Sequence, residues 1–398
     1  MIVVRITANV GFVPMVIRRF RVQRGAIARR LGVGVAVMVV TLLGSSVPAS
    51  AAGATGSYAD WSVAGTSGKY TGSGAPAAAG FPAASITSDA TTVKTPAGGS
   101  AFLGPATPVG AVYGSSRDLT YMNISTAKGI TTSTTTLDFD AATPAANWAF
   151  VLGDIDADQV EISATDADGN PVSAADLGFA GTFNYCAVSP KPSGCIGPGP
   201  FTDEPTWHPG SSQLVGNGPD TLGSTGWFQP TVPIKSITFK FTALIGIPVY
   251  QLWLTTLAVP VQTTIGGITP DNPVPDPGVV LELLKPDGVT PIEDAQGKPV
   301  EVIADDKGVA EFPAVVDGSY VIKIVPPDRV KSRGKKLIRV TVDVTKGSPK
   351  IPKGTFALIV PLQLAVTGAD ALPATGIGLA LVALGLLLRR FGRRRLTP

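Results

Sequence analysis

The chain has 398 residues, with 32 basic against 29 acidic groups, one histidine and two cysteines. Seven arginines fall in the first 51 residues and five in the last ten, and neither segment holds an acid; the part between carries 20 basic against 29 acidic groups, net −9. This acidic body excludes the basic surface that nucleic acid requires, and a single histidine excludes a multi-histidine metal centre.

Residues 1–51 read as a signal peptide. Arg18, Arg19, Arg21, Arg24, Arg29 and Arg30 form a basic region. The apolar run Leu31 to Leu43 comes next, and Val47-Pro48-Ala49-Ser50-Ala51 ends in small residues suited to cleavage near Ala51. The basic region is long, so Met1 and Met15 both stand as starts. Export places the body of the chain in an oxidising exterior. A body rich in Gly, Ala, Ser, Thr, Pro and Val and poor in charged helix formers points to an all-β fold.

The first domain is expected over 53–262. Its early part, Gly53 to Gly114, reads as short strands with long loops. Clearer strands come later at Thr134 to Phe139, Trp148 to Leu152, Gln159 to Ala164, Ile234 to Thr242 and Pro248 to Leu254, several with period-two alternation. Asp166-Ala167-Asp168-Gly169-Asn170 is a tight-turn signal. Few helical patterns compete, and the pattern predicts a jelly-roll-like antiparallel β-sandwich. The stretches Phe150 to Val172 and Ile234 to Leu257 resemble a recurrent bacterial surface module, found in adhesins and wall proteins; the resemblance implies binding or display of an unidentified extracellular ligand.

Cys186 and Cys195 bracket the turn-forming Ala-Val-Ser-Pro-Lys-Pro-Ser-Gly and are expected to form a disulfide. Asp154, Asp156 and Asp158 alternate, as carboxylates do in the first half of a calcium loop. Gln159 stands where an EF-hand needs glycine and Thr165 where it needs glutamate. Two readings therefore remain: a Ca²⁺ site outside the EF-hand class, helped by Asp138 or Asp140, or a solvated acidic turn. No other cofactor is implied. His208 has no Gly-x-Ser-x-Gly partner and reads as a loop residue. Trp61, Trp207 and Trp227 would suit a sugar-binding platform, although core packing is the commoner fate of tryptophan.

Residues 263–277 carry Pro270, Pro273, Pro275 and Pro277 and read as an extended spacer. Over 278–366, strand patterns recur at Val279 to Leu284, Pro299 to Ala304, Gly308 to Phe312, Ser319 to Val325, Lys336 to Thr345 and Phe356 to Leu364. The run Val302 to Phe312, then Val316 to Ile324, is similar to the B-type repeats of collagen-binding adhesins and pilins. That similarity implies a smaller transthyretin-like (prealbumin-like) β-sandwich. Many such repeats join a lysine to an asparagine covalently. Lys285 lies near the right place, but no asparagine comes after Asn272, so no such bond is expected and Lys285 should face solvent.

Residues 367–398 end the chain with Leu372-Pro373-Ala374-Thr375-Gly376, the apolar run Ile377 to Leu388 and five arginines. This order resembles the sorting signal of Gram-positive proteins that sortases fix to the cell wall. The resemblance implies a hydrophobic sorting helix held in the membrane before sorting, sortase as a partner, and covalent attachment to peptidoglycan through Thr375. Leu364-Ala365-Val366-Thr367-Gly368 offers a second such site; Thr375 is preferred because it lies nearer the apolar run. The expected function is a non-enzymatic, wall-anchored surface protein used in adhesion or envelope display. The alternative is a wall-anchored carbohydrate-binding or glycan-hydrolysing protein.

Overall fold

The period-two alternation sorts side chains to the two faces of each strand, and antiparallel pairing then builds two sandwiches in series. The computed structural model describes residues 53–127, 131–197, 199, 201–246, 248–265, 279–294, 296–325, 331–334, 336–351 and 356–359. The leader, most of the spacer, Thr367, Leu372 to Gly376 and the apolar tail lie outside the described residues. Among those described, no helix is long and apolar enough to cross a membrane.

The first sandwich holds β1 (Thr55–Thr66), β2 (Lys69–Pro76), β3 (Ala84–Ser88), β4 (Thr92–Lys94), the short helix α1 (Pro108–Tyr113), β5 (Met122–Ser125), β6 (Thr132–Phe139), β7 (Trp148–Gly153), β8 (Asp158–Thr165), β9 (Phe179–Asn184), β10 (Thr206–His208), β11 (Gln213–Val215), β12 (Ser224–Phe228), β13 (Ser236–Ala243) and β14 (Val249–Thr264). The smaller sandwich holds β15 (Val280–Leu284), β16 (Glu301–Ile303), β17 (Val309–Val315), β18 (Gly318–Val325), β19 (Lys331–Gly334), β20 (Leu337–Val342) and β21 (Phe356–Ile359). Every ladder between these strands is antiparallel, and the fold class is all-β as expected.

One sheet of the first sandwich runs β10-β11-β8-β13-β6-β3-β2-β1 and the other β1-β14-β7-β12-β9. Strand β1 serves both: Thr55 to Tyr58 pair with β14, and Ala59 to Thr66 pair with β2. Between the sheets lie Ile86, Leu137, Phe139, Trp148, Phe150, Ile162, Phe239 and Phe241, all essentially without solvent contact. The continuous apolar run of β7 has a direct cause. Trp148, Phe150 and Leu152 face this core, while Ala149 and Val151 face a second one beneath α1 and the disulfide loop, so both faces are buried.

Two expectations change. The stretch Gly53 to Gly114 holds long strands as well as short ones, β1 with 12 residues and β2 with 8. The boundary at 262 falls inside β14, a 16-residue strand of about 50 Å that also takes in Thr263 and Thr264 of the expected spacer. Its first part pairs with β5 and β7 of the first sandwich, and Val259 to Thr264 pair with β17 of the second. Pro260 sits where the register shifts between Val259 and Val261, a bulge that tolerates a residue with no N–H.

The junction is also packed. Ala79 N–H donates to Ala314 O at 2.9 Å, Val316 N–H donates to Ala79 O at 3.1 Å, and the Asn147 amide donates to the Asp317 carboxylate. Gly80, at φ 88°, lies against the Tyr320 ring, and a Cβ there would stand 2.2 Å from the phenol oxygen. Val316 joins the core of the first sandwich, and Ala79 and Leu257 join that of the second. Phe312, fully buried on β17 opposite Val261, should therefore support both bodies. Phe312→Ala is expected to cost about 3–5 kcal/mol, and chemical denaturation should show both sandwiches losing stability in one transition.

Candidate functional site

The alternation of β8 places Asp158 in phase with Val160, Ile162 and Ala164, so its carboxylate points inward with the apolar side chains. Strand β7 ends at Gly153, and the chain turns through Asp154, at φ 63°, and Asp156 before re-entering the sheet. Residues 203–204 and 216–223 close over this turn. Gly216 N–H donates to Asp158 O at 2.8 Å, Gly218 N–H donates to Asp156 O at 3.0 Å, and Ile155 N–H donates to Ser224 O at 2.9 Å. The result is an acidic pit at one end of the first sandwich, formed by Asp154, Asp156, Asp158, Asp203 and Asp220. Asp156, Asp158 and Asp203 are buried, and Asp220 stands exposed at the rim.

The pit has a structured wall. Burial holds the Tyr185 hydroxyl well above its ordinary pKa, with Asp154 adding to the effect, so it stays protonated. It donates to Gln251 Oε1 at 3.1 Å, which orients the amide so that Nε2 donates to Asp154 Oδ2 at 3.2 Å. Gly223 N–H donates to Asp154 Oδ1 at 3.2 Å. Thr221 donates from its backbone N–H to Asp156 Oδ2 at 2.9 Å, and its hydroxyl lies between that oxygen and Asp203 Oδ2. Asn184 Nδ2 donates to Asp203 Oδ1 at 3.0 Å, and Asn184 Oδ1 accepts from Cys186 N–H at 2.9 Å.

The Cys186–Cys195 disulfide is formed, with Cα atoms 5.5 Å apart, and through Asn184 it fixes this wall. Gly223 is confined by the same group of atoms. Its φ is 88°, and a Cβ would meet Asn184 Oδ1 at 2.6 Å and the Cys186 sulfur at 2.9 Å.

Electrostatically the pit is costly to ionise. Burial first, then repulsion from Asp156, pushes Asp154 up to about 7. Burial raises Asp156 to about 6 against the pull of its N–H donors. Burial, then Asp156, Asp154 and Asp220, raise Asp158 to about 8. Among the described residues no ion pair joins Asp154, Asp156, Asp158 or Asp203 to a basic side chain. Nor do three acid, histidine or cysteine side chains there already stand in coordinating positions.

The structure thus brings Asp154, Asp156 and Asp158 together, with Asp156 and Asp158 buried and Asp154 partly so. It does not bring Asp138 or Asp140 to them. Asp138 pairs across β13 with Ser236, whereas Asp158 pairs with Ala243, at the other end of an eight-residue strand about 23 Å long. Asp138 instead meets Lys235 at 2.8 Å. Asp203 and Asp220 carry no signature in the sequence, because each sits in a loop far along the chain with no local pattern. Asp158 has a signal, its phase with Val160 and Ile162.

Asp166 is a turn residue, accepting from Asp168 N–H and Asn170 N–H at 2.9 Å each. The tryptophans form no common face. Trp61 lies in the inter-sheet core, Trp227 in the core beneath α1, and Trp207 stacks half-buried on Phe179. His208 is exposed on β10, and Lys285 is exposed. A groove of about 830 Å³ lies between β1 and the residues after α1. Its tyrosines are paired, however: Tyr58 donates to Gly114 O, and the Tyr113 hydroxyl accepts from Gln229.

No family model matches the chain, and no curated protein does. Among solved structures it is similar to BcpA, the major pilin subunit of Bacillus cereus, at 12% identity over 59% of this chain and 66% of that one, with a TM-score of 0.22. The T6 backbone pilin of serotype M6 Streptococcus pyogenes gives 9% identity, 69% and 62% coverage and a TM-score of 0.19. The major pilin SpaD of Corynebacterium diphtheriae gives 10%, 51% and 55%, and 0.17. The chain spans less than two thirds of the length of each, and superpositions this loose carry no argument about fold or activity.

Replacing both Cys186 and Cys195 with serine should cost about 2–3 kcal/mol, from the loop entropy regained by the unfolded chain. Gly223→Ala should cost more than about 1 kcal/mol, because its conformation and its space are both denied to a side chain. Urea midpoints of the two variants against the parent protein check both values.

Proposed function

We propose that this chain is a non-enzymatic surface protein, exported and fixed to the cell wall through Thr375, that presents the first sandwich outward for adhesion or envelope display. The observation that carries this reading is β14. One strand is hydrogen-bonded into both sandwiches, so they are joined by a ladder as well as by a single covalent link. Gln251, beside the acidic pit, precedes the junction at Val259 by eight residues of extended chain, about 26 Å. The pit therefore lies at the end of the first sandwich remote from the second. An attachment beyond the second sandwich would place that end outermost.

The sorting signal expected at Leu372 to Gly376 supplies the attachment, and the signal peptide over 1–51 supplies export. Sortase and peptidoglycan are then the partners at the C-terminal end, and an extracellular ligand is the partner at the other. Muramidase digestion of walls from the producing cell should release protein whose C-terminus is Thr375 bearing wall peptide, as read by intact mass. Thr375→Ala should move the protein to the membrane fraction or the medium. A wall-released protein ending at Thr367 would shift the joint upstream, and an intact terminus at Pro398 would overturn wall attachment.

A further inference from the structure

We propose that the acidic pit of the first sandwich is a binding site for a hard divalent cation, calcium, held by Asp154, Asp156, Asp158, Asp203 and Asp220. The proposal goes beyond wall attachment and does not depend on it.

Acidic residues in proximity do not make a site, and the decisive observation is separate from their number. Asp158 is 1% exposed, yet its Oδ1 has no hydrogen-bond partner, and the charged groups acting on it are Asp156, Asp154 and Asp220. A carboxylate oxygen taken out of water needs a donor or a cation, and the fold provides no donor here. Opposite, the Thr221 hydroxyl lies between Asp203 Oδ2 and Asp156 Oδ2, the latter also accepting from the Thr221 N–H. Two hydrogen-bond lengths also hold those oxygens within about 6 Å of each other. Oxygens on opposite sides of a calcium ion stand about 5 Å apart.

The ligand chemistry selects the ion. Every candidate donor is oxygen, the single histidine is exposed on β10, and both cysteines are in the disulfide, so a zinc-type set is not available. The carboxylates come from three separate segments whose side chains can rotate, which suits the loose six- to eight-oxygen shell of calcium better than the rigid octahedron of magnesium. Asp156 and Asp203 would turn from Thr221 towards the ion, and Asp220 at the rim would close the shell. Both Asp154 oxygens already accept from the wall, from Gly223 N–H and Gln251 Nε2, so Asp154 would reach the ion through the second lone pair of one of them, while Asn184 keeps its bond to Asp203 Oδ1.

The test uses the full purified chain after chelation, titrated with calcium chloride and, separately, magnesium chloride. Calorimetry and thermal melting are both monitored. Affinity in the range of extracellular modules predicts a rise in Tm of about 3–10 °C at 10 mM calcium, reversed by EDTA. Asp158→Asn should abolish the rise while leaving the chelated protein at least as stable as the parent, since an amide of the same shape buries no charge and can donate a hydrogen bond. A residue needed only for folding would instead lower the chelated Tm. If that variant fails to fold, Asp220→Asn at the exposed rim should weaken calcium binding at least tenfold. No heat and no change in Tm up to 10 mM calcium would overturn the proposal, as would a full response in Asp158→Asn. An equal response to magnesium would overturn the assignment to calcium.

Discussion

The structure depends on one strand having partners in two cores. Most of β14 is buried, and along its length it meets β5 and β7, then β1, then β17. A sandwich ordinarily ends where its last strand leaves the sheet. Here the last strand of one sandwich is an edge of the next, so the unpaired backbone groups that would mark a boundary are satisfied by β17. The bulge at Pro260 bends the strand where it changes partners. Gly80 gives up its Cβ so that the Tyr320 ring can close the same seam, and the Tyr320 hydroxyl donates onward to Val316 O at 3.1 Å. Position in the chain and position in space therefore diverge: Val316, from the second sandwich, is part of the first one's core.

The acidic end of the first sandwich differs from the rest in the charge it buries. Elsewhere the inward positions of the sheets are apolar or hydroxylated, as with Ser88 and Thr135 hydrogen-bonded to each other at 2.8 Å. At the turn from β7 to β8 the acids Asp156 and Asp158 are buried beside Ile155 and Ala157, and backbone N–H groups, an amide and a disulfide loop lie around them. Burial of like charges works against folding unless something in the environment compensates.

Much of the fold is legible in the residues. Strands β8 and β13 can be read because Val160, Ile162, Ile237, Phe239 and Phe241 alternate cleanly with polar neighbours, and the Asp166 to Asn170 turn because only such residues fit it. The disulfide is implied by export and loop length. Strands β1 and β2 are not legible, since Gly, Ala, Ser and Thr give little contrast between inward and outward positions. The end of β14 is masked because Pro260 and the threonines after it resemble the start of a linker. The pattern cannot show that β17, some fifty residues on, will complete the ladder. The same non-locality hides Asp203 and Asp220, which approach the Asp154 to Asp158 turn only once three distant loops have met.

The ladder between β14 and β17 also decides how the molecule answers tension. Its five register pairs lie across the strand direction, so a pull along β14 strains them together. Bonds loaded side by side yield as a group, whereas those of a hairpin opened from its end yield one after another. The seam between the sandwiches is thus oriented as a shear joint, in which the covalent crossing from one sandwich to the next is reinforced in parallel.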